Sequence, residues 1–317
     1  VNIGSAIRFE DDGPTAHINL KGPWADVTHD ETAGLQNFWN TWALGDITDN
    51  DVAYLSVFDG VANKGTDISP TGFAKSATPV VTTLGSSYGE VEEGATTQLS
   101  LIVKNGNGDD SGLRTTDGRS ITLHLEGALI VGRIVGGADA GKAAFAIAIG
   151  ADGSLSVAQY VSLQHPIGGS SYDEAVNLAG KIQAVVTVTD GDGDVAVDKV
   201  DIGSVIRFED DGPTARISLV KNASVTHDES AGLQNATATP LIAGDADDND
   251  VADLSSLFAG VATPGTGLAA VGYAQSATAV VSAAGSSAGQ DGEGATTVLS
   301  LALQGNNGLD SGLETTE

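Results

Sequence analysis

Cysteine and methionine are both absent from the 317 residues. No disulfide can brace the chain, and no thiolate can act as nucleophile or metal ligand. Aromatic residues amount to only 5%, so the cores must be small and assembled from Val, Ile, Leu and Ala. Basic residues are scarce as well: 14 Lys and Arg stand against 42 Asp and Glu, a net charge of −28. That balance argues against nucleic acid or anionic membrane as partner and suits cation binding or solubility in salt. No apolar run approaches the ~20 residues of a membrane span, so direct membrane insertion is not expected. Val1 opens no signal peptide, and the stretch reads as internal to a longer chain whose targeting information lies elsewhere. Helix-length apolar periodicity is missing too, while 42 glycines punctuate the chain. Many short strands joined by turns are expected.

What is present is repetition. Arg8-Phe9-Glu10-Asp11-Asp12-Gly13-Pro14-Thr15-Ala16 returns unchanged as Arg207 to Ala215. Val27 to Gln36 answers Val225 to Gln234 with one Thr/Ser exchange, and Asp49-Asn50-Asp51-Val52-Ala53 answers Asp248 to Ala252. Glu93 to Thr97 recurs at Glu293 to Thr297, and Asp110 to Leu113 at Asp310 to Leu313. The unit is therefore about 200 residues long, and a second copy runs only through its first half. Its second half carries the clearer β pattern, with strands expected at 121–126, 129–135, 143–149, 155–163, 182–189 and 195–202. The first half is weaker, with strands expected at 16–20, 52–58, 78–84 and 97–103. The expected fold is all-β: tandem immunoglobulin-like β-sandwich modules in an elongated rod. Residues 1–14 would be the tail of a preceding repeat and 15–117 a first β module. An Ig-like sandwich would follow at 118–214, and 215–317 would repeat the first module. The alternative is that strands of 15–117 complete the following module, making each unit one split domain.

Carboxylates crowd at fixed places. Glu10, Asp11 and Asp12 end one repeat, and Asp30-Glu31 begins the next; Glu209, Asp210 and Asp211 with Asp228-Glu229 restate the arrangement. Three like charges in a row repel, and a cation shared across the linker would relieve them and cross-link neighbouring modules. Asp190, Asp192 and Asp194 have the spacing that begins an EF-hand loop. Val195 stands where that loop needs Gly and Asp201 where it needs a bidentate Glu, so a loop site in a β module is expected instead. Asp49 and Asp51, repeated as Asp248 and Asp250, are read as a metal loop or a solvated loop alike. Asp109-Asp110 and Asp173-Glu174 read as solvated turns.

Catalysis is not expected. His29 and His227 recur beside Asp-Glu and suit a structural role, but no Gly-x-Ser-x-Gly elbow is present. Trp24, Trp39 and Trp42 all fall in the first half-unit, where the second copy has Ala236, Thr237 and Pro240. Trp39 and Trp42 could form a glycan- or surface-binding patch, the second functional reading, or fill the core of a variable loop.

These strings resemble the long repeats of bacterial RTX adhesins, the giant surface proteins exported by type I secretion. The match is to their Ig-like repeat of about 200 residues, and its marks stand here as Asp30 to Gln36 and Asp228 to Gln234, Val188 to Asp194, and Phe9 to Pro14 with Phe208 to Pro213. The resemblance implies extracellular modules in tandem, with Ca2+ at the junctions. It also implies a spacer role that holds a terminal adhesive domain away from the cell. Adjacent repeats of the same chain would be the direct partners of a monomer. The Gly-Gly-x-Gly-x-Asp nonapeptide is missing, so no calcium β-roll is expected.

Overall fold

Runs such as Ala-Ala-Phe-Ala-Ile-Ala-Ile and Ile-Gln-Ala-Val-Val-Thr-Val-Thr combine β-branched and small residues, which pack well on a pleated surface and poorly in a helix. They are strands in the computed structural model, which describes all residues except 23–24, 33, 38–48, 70, 91–92, 167–173, 231, 238–244, 269–270, 290–294, 306 and 316–317. The chain is all-β, with short 3-10 turns as the only helical segments among the described residues. It divides into two units, Val1–Pro213 with Ala288–Thr296, and Thr214–Ser287 with Thr297–Glu317.

The first unit holds fourteen strands: β1 (Asn19–Leu20), β2 (Val27–Asp30), β3 (Gly72–Lys75), β4 (Val81–Thr82), β5 (Thr96–Val103), β6 (Asp109–Arg114), β7 (Ser120–Glu126), β8 (Leu129–Ile134), β9 (Ala143–Ile149), β10 (Leu155–Gln159), β11 (Ala175–Asn177), β12 (Ile182–Thr189), β13 (Val195–Asp201) and β14 (Ile206–Glu209). A six-stranded antiparallel sheet runs β3-β10-β9-β8-β7-β6. A second sheet, β13-β12-β5, lays β5 across β7, β8 and β9. The inner faces of the two sheets meet in one core. Strand β9 is buried on both faces and contains no polar residue, whereas the edge strand β13 alternates exposed and half-buried positions. Four large ring side chains, Phe58, Phe145, Tyr160 and Phe208, are fully buried, and Ile, Val, Leu and Ala supply the rest of the core.

The expected boundary between 15–117 and 118–214 is not there. Strand β3 pairs with β10, β5 with β12 and β6 with β7, so both halves share both sheets. The unit is one interlocked body because neither half owns enough strands to cover its own apolar face. Expected strands 16–20 and 78–84 shrink to the two-residue pair β1–β4, and 52–58 contains a 3-10 turn, Ser56–Phe58, that drops Phe58 into the core. Strand β6 takes in Asp109 and Asp110, read from sequence as a solvated turn. It lies at the edge of its sheet, where charged side chains reach water.

A third sheet, β11-β14-β2, closes the repeat. Strand β14 lies parallel to β2, with Ile206 opposite Val27 and Glu209 opposite Asp30. The beginning and the end of the repeat thus run side by side. Phe208 seats this strand against Phe145, ring centroids 5.2 Å apart.

The second unit contains β15 (Ser218–Leu219) paired with β18 (Val281–Ser282), and β16 (Asp250–Val251) paired with β17 (Tyr273–Ala274). No helix is long and apolar enough to cross a membrane among the described residues.

Candidate metal centre

Parallel pairing in register carries Asp30 and Glu209 to the same point at the ends of β2 and β14. Asp49 joins them, brought in because Asn50 accepts from the Thr28 N–H at 3.0 Å while its own N–H donates to the Thr28 carbonyl at 3.0 Å. Oxygens of Asp30, Asp49 and Glu209 all lie within 4.8 Å of one another, and all three residues are buried. Neither carboxylate oxygen of Asp49 receives a hydrogen bond, though the residue is only 4% exposed. Burial, and then the Glu209, Asp30 and Asp51 charges, push its carboxyl up to about 9. A buried carboxylate without a donor must be protonated or neutralised by a cation.

Asp51, two residues on, is otherwise engaged. Its Oδ1 lies 2.7 Å from His29 Nδ1 and its Oδ2 accepts from the Gln36 N–H at 3.3 Å. Asp250 makes the same 2.7 Å contact with His227 in the second copy. The expected Asp49/Asp51 pair is therefore split: Asp49 belongs to the acidic centre, and Asp51 orients a structural histidine. Gly72 makes that histidine's place, since a Cβ there would lie 1.9 Å from His29 Nε2.

Just past the ends of β2 and β14 a further set of carboxylates gathers. Glu31, Asp210 and Asp211 form a second group within 4.8 Å. Glu31 also accepts from the Leu163 N–H at 2.8 Å and from the Gln159 amide, tying the opening of the repeat to the end of β10. Burial and the Glu174 charge push Asp210 up to about 6. Glu174, read as part of a solvated turn, is thus a neighbour of this group. Sequence pattern gave no signal for it, because the contact depends on β11 pairing with β14.

A third group joins Asp11, Asp192 and Asp194, all exposed. It corrects the expected partnership of Glu10–Asp12 with Asp30-Glu31: the tail reaches the turn between β12 and β13 instead. Asp12 is spent locally, accepting from the Glu90 N–H at 3.1 Å beside Gly89, and Glu10 is exposed and outside all three groups. Likewise the carboxylates grouped with Glu209–Asp211 are those of the same repeat's beginning, in place of the expected Asp228-Glu229. Asp228 accepts from the Ser230 N–H at 2.6 Å and neighbours Asp248, Glu229 is exposed, and Asp250 is held by His227. Trp24, Trp39 and Trp42 lie outside the described residues.

A family model described as "Domain of unknown function (DUF5801)" matches residues 26–203, from just before β2 to just before β14. Comparison with curated proteins and with solved structures finds no match.

Proposed function

The chain belongs to the DUF5801 family, whose function is unknown, and we propose that it is a calcium-stiffened extender segment of a large secreted bacterial surface adhesin, without catalytic activity. The observation that carries this reading is Asp49: buried, without a donor, and packed against Asp30 and Glu209. Two like charges 4 Å apart repel by about 4 kcal/mol at an effective dielectric of 20. Three buried carboxylates therefore fit a hard divalent cation. The donor set is all oxygen, which suits calcium better than zinc. Asp30, Asp49 and Glu209 would hold the ion, which would supply charge neutralisation and a cross-link between strands far apart in sequence.

The position of that cross-link supports a mechanical role. Force along the chain would enter the repeat ahead of β2 and leave after β14. These strands are parallel neighbours, so such a pull shears them along their length and loads their hydrogen bonds together. A cation at Asp30 and Glu209 would fasten the pair at its exit end. Extracellular placement draws support from the absence of Cys, the charge of −28 and the repeat motifs. Adjacent repeats of one monomeric chain are the proposed partners.

The test is small-angle scattering together with thermal melting of the 317-residue chain in calcium and in chelator, for the natural sequence and for Asp49→Asn. A larger maximum dimension and a higher Tm in calcium are expected, with the Tm rise lost in the variant. Identical dimension and Tm in both buffers would overturn the reading.

A further inference from the structure

Residues 215–317 repeat the first half of the unit, and their apolar side chains face water. Leu113 of β6 is 6% exposed, and its copy Leu313 is 85% exposed. Leu101 of β5 and Phe58 are buried, whereas Leu301 and Phe258 are exposed. In the first unit the cover comes from residues 118–214, because β3 pairs with β10, β5 with β12 and β6 with β7.

The contacts that seat one half on the other recur in the copy. Ser76 Oγ accepts from the Leu155 N–H at 3.0 Å, and Ser111 Oγ donates to the Ile121 carbonyl at 2.7 Å. Gly65 makes room for Val161, whose Cγ2 would lie 2.2 Å from a Cβ there. Their counterparts are Ser276, Ser311 and Gly265. The backbone is kept as well. Asn63 holds φ +50°, and its carbonyl accepts from the Ala143 N–H at 2.7 Å. Thr263 holds φ +49°, a conformation that β-branched residues avoid, and does so without the bond to Ala143.

We propose that 215–317 carries a docking face for a half-repeat with the sequence of residues 118–214, the two first halves being interchangeable partners of that sequence. The shared serines, glycine and leucines dock it; four further contacts rank the two first halves. Asp67 Oδ2 accepts from the buried Ser162 N–H at 3.1 Å. Lys104 pairs with Asp201 at 2.9 Å and Lys181 with Asp109 at 3.4 Å, while Lys64 Nζ lies 5.6 Å from the Tyr160 ring centre. The copy has Gly267, Gln304, Leu309 and Pro264 at the positions of Asp67, Lys104, Asp109 and Lys64. The face therefore accepts the same partner less tightly, and the Ser162 N–H, left buried without its acceptor, is the largest loss. None of these side chains belongs to the three acidic groups, so docking needs no cation.

Amide hydrogen exchange tests the face in the whole chain lengthened by a second copy of residues 118–214 after Glu317. Residues 297–303 form no strand in the 317-residue chain, and in the lengthened one their exchange should slow by about 100-fold. Exchange as fast as before overturns the proposal. The same lengthening with Val186→Asp in the appended copy should leave 297–303 unprotected; equal protection there would show that added length, and not docking, is responsible. Concentration-dependent protection of 297–303 in the 317-residue chain would assign the face to a second copy of itself and overturn the proposal too. In the lengthened chain 297–303 should still exchange about tenfold faster than 96–103. Pro264→Lys/Gly267→Asp/Gln304→Lys/Leu309→Asp should close that gap, and an unchanged gap would refute the ranking by those four contacts.

Discussion

Asp49 and Asp51 stand two residues apart and do opposite work. Asp51 spends its charge on His29, while Asp49 meets only acceptors. The consequence is a pH dependence with a definite sign. Asp49 titrates from 3.8 in the unfolded chain and near 9 in the metal-free fold. Below about pH 4 both states carry the proton. As the pH climbs toward 9 the unfolded chain loses it and the fold keeps it, so stability in chelator falls across that window. Urea midpoints in chelator should decline from pH 4 to pH 9 in the natural sequence; in Asp49→Asn the decline above about pH 6 should flatten, the raised Asp210 carboxyl still contributing below it. In calcium at ~100 times the dissociation constant, the site should add about 2.7 kcal/mol, or a Tm rise of roughly 5–10 °C, absent from the variant. Gly72 has a steric part instead. Gly72→Ala drives a Cβ to 1.9 Å from the buried His29 ring and should cost roughly 1–3 kcal/mol, read from the urea midpoint. Carboxylate chemistry at these positions was legible from the repeated Asp-Asn-Asp; which carboxylate is free was not, because that depends on where His29 points.

At the scale of elements, one motif appears in two environments. Phe208 in β14 is fully buried against Phe145, and its copy Phe9 in the tail is 95% exposed. Phe208→Ala should cost about 3–5 kcal/mol in chemical denaturation. Phe9→Ala should stay within about 0.5 kcal/mol of the natural sequence. Equal costs would mean that β14 does not close the repeat. Strands β7, β12 and β13 could be read from alternation, and β8 and β9 from short apolar runs bounded by glycine turns. Strands β2, β3 and β6 could not, since Thr-His-Asp, Gly-Phe-Ala-Lys and Asp-Asp-Ser-Gly lack an apolar period and become strands only through the neighbours that pair with them.

For the whole molecule, the interlocking of the two half-repeats has a direct test. Residues 15–117 and 118–214 expressed apart should each lack a cooperative melt, because β5 would lose β12 and β10 would lose β3. A cooperative transition in either half alone would show that the shared sheets are not required. The same hydrogen bonds form wherever the string recurs: Thr28 with Asn50 and His29 with Asp51 reappear as Thr226 with Asn249 and His227 with Asp250, at the same 3.0 and 2.7 Å. In both copies the histidine ring lies over a glycine, Gly72 or Gly272. Burial is a different matter. Val27 is wholly buried under β14, whereas Val225, in the same ten-residue string, is 55% exposed. Composition and repetition determined an acidic, all-β chain with carboxylates at set places. Only tertiary pairing decided which carboxylates lose their water, because desolvation is set by what lies across the strand, and sequence order does not specify that.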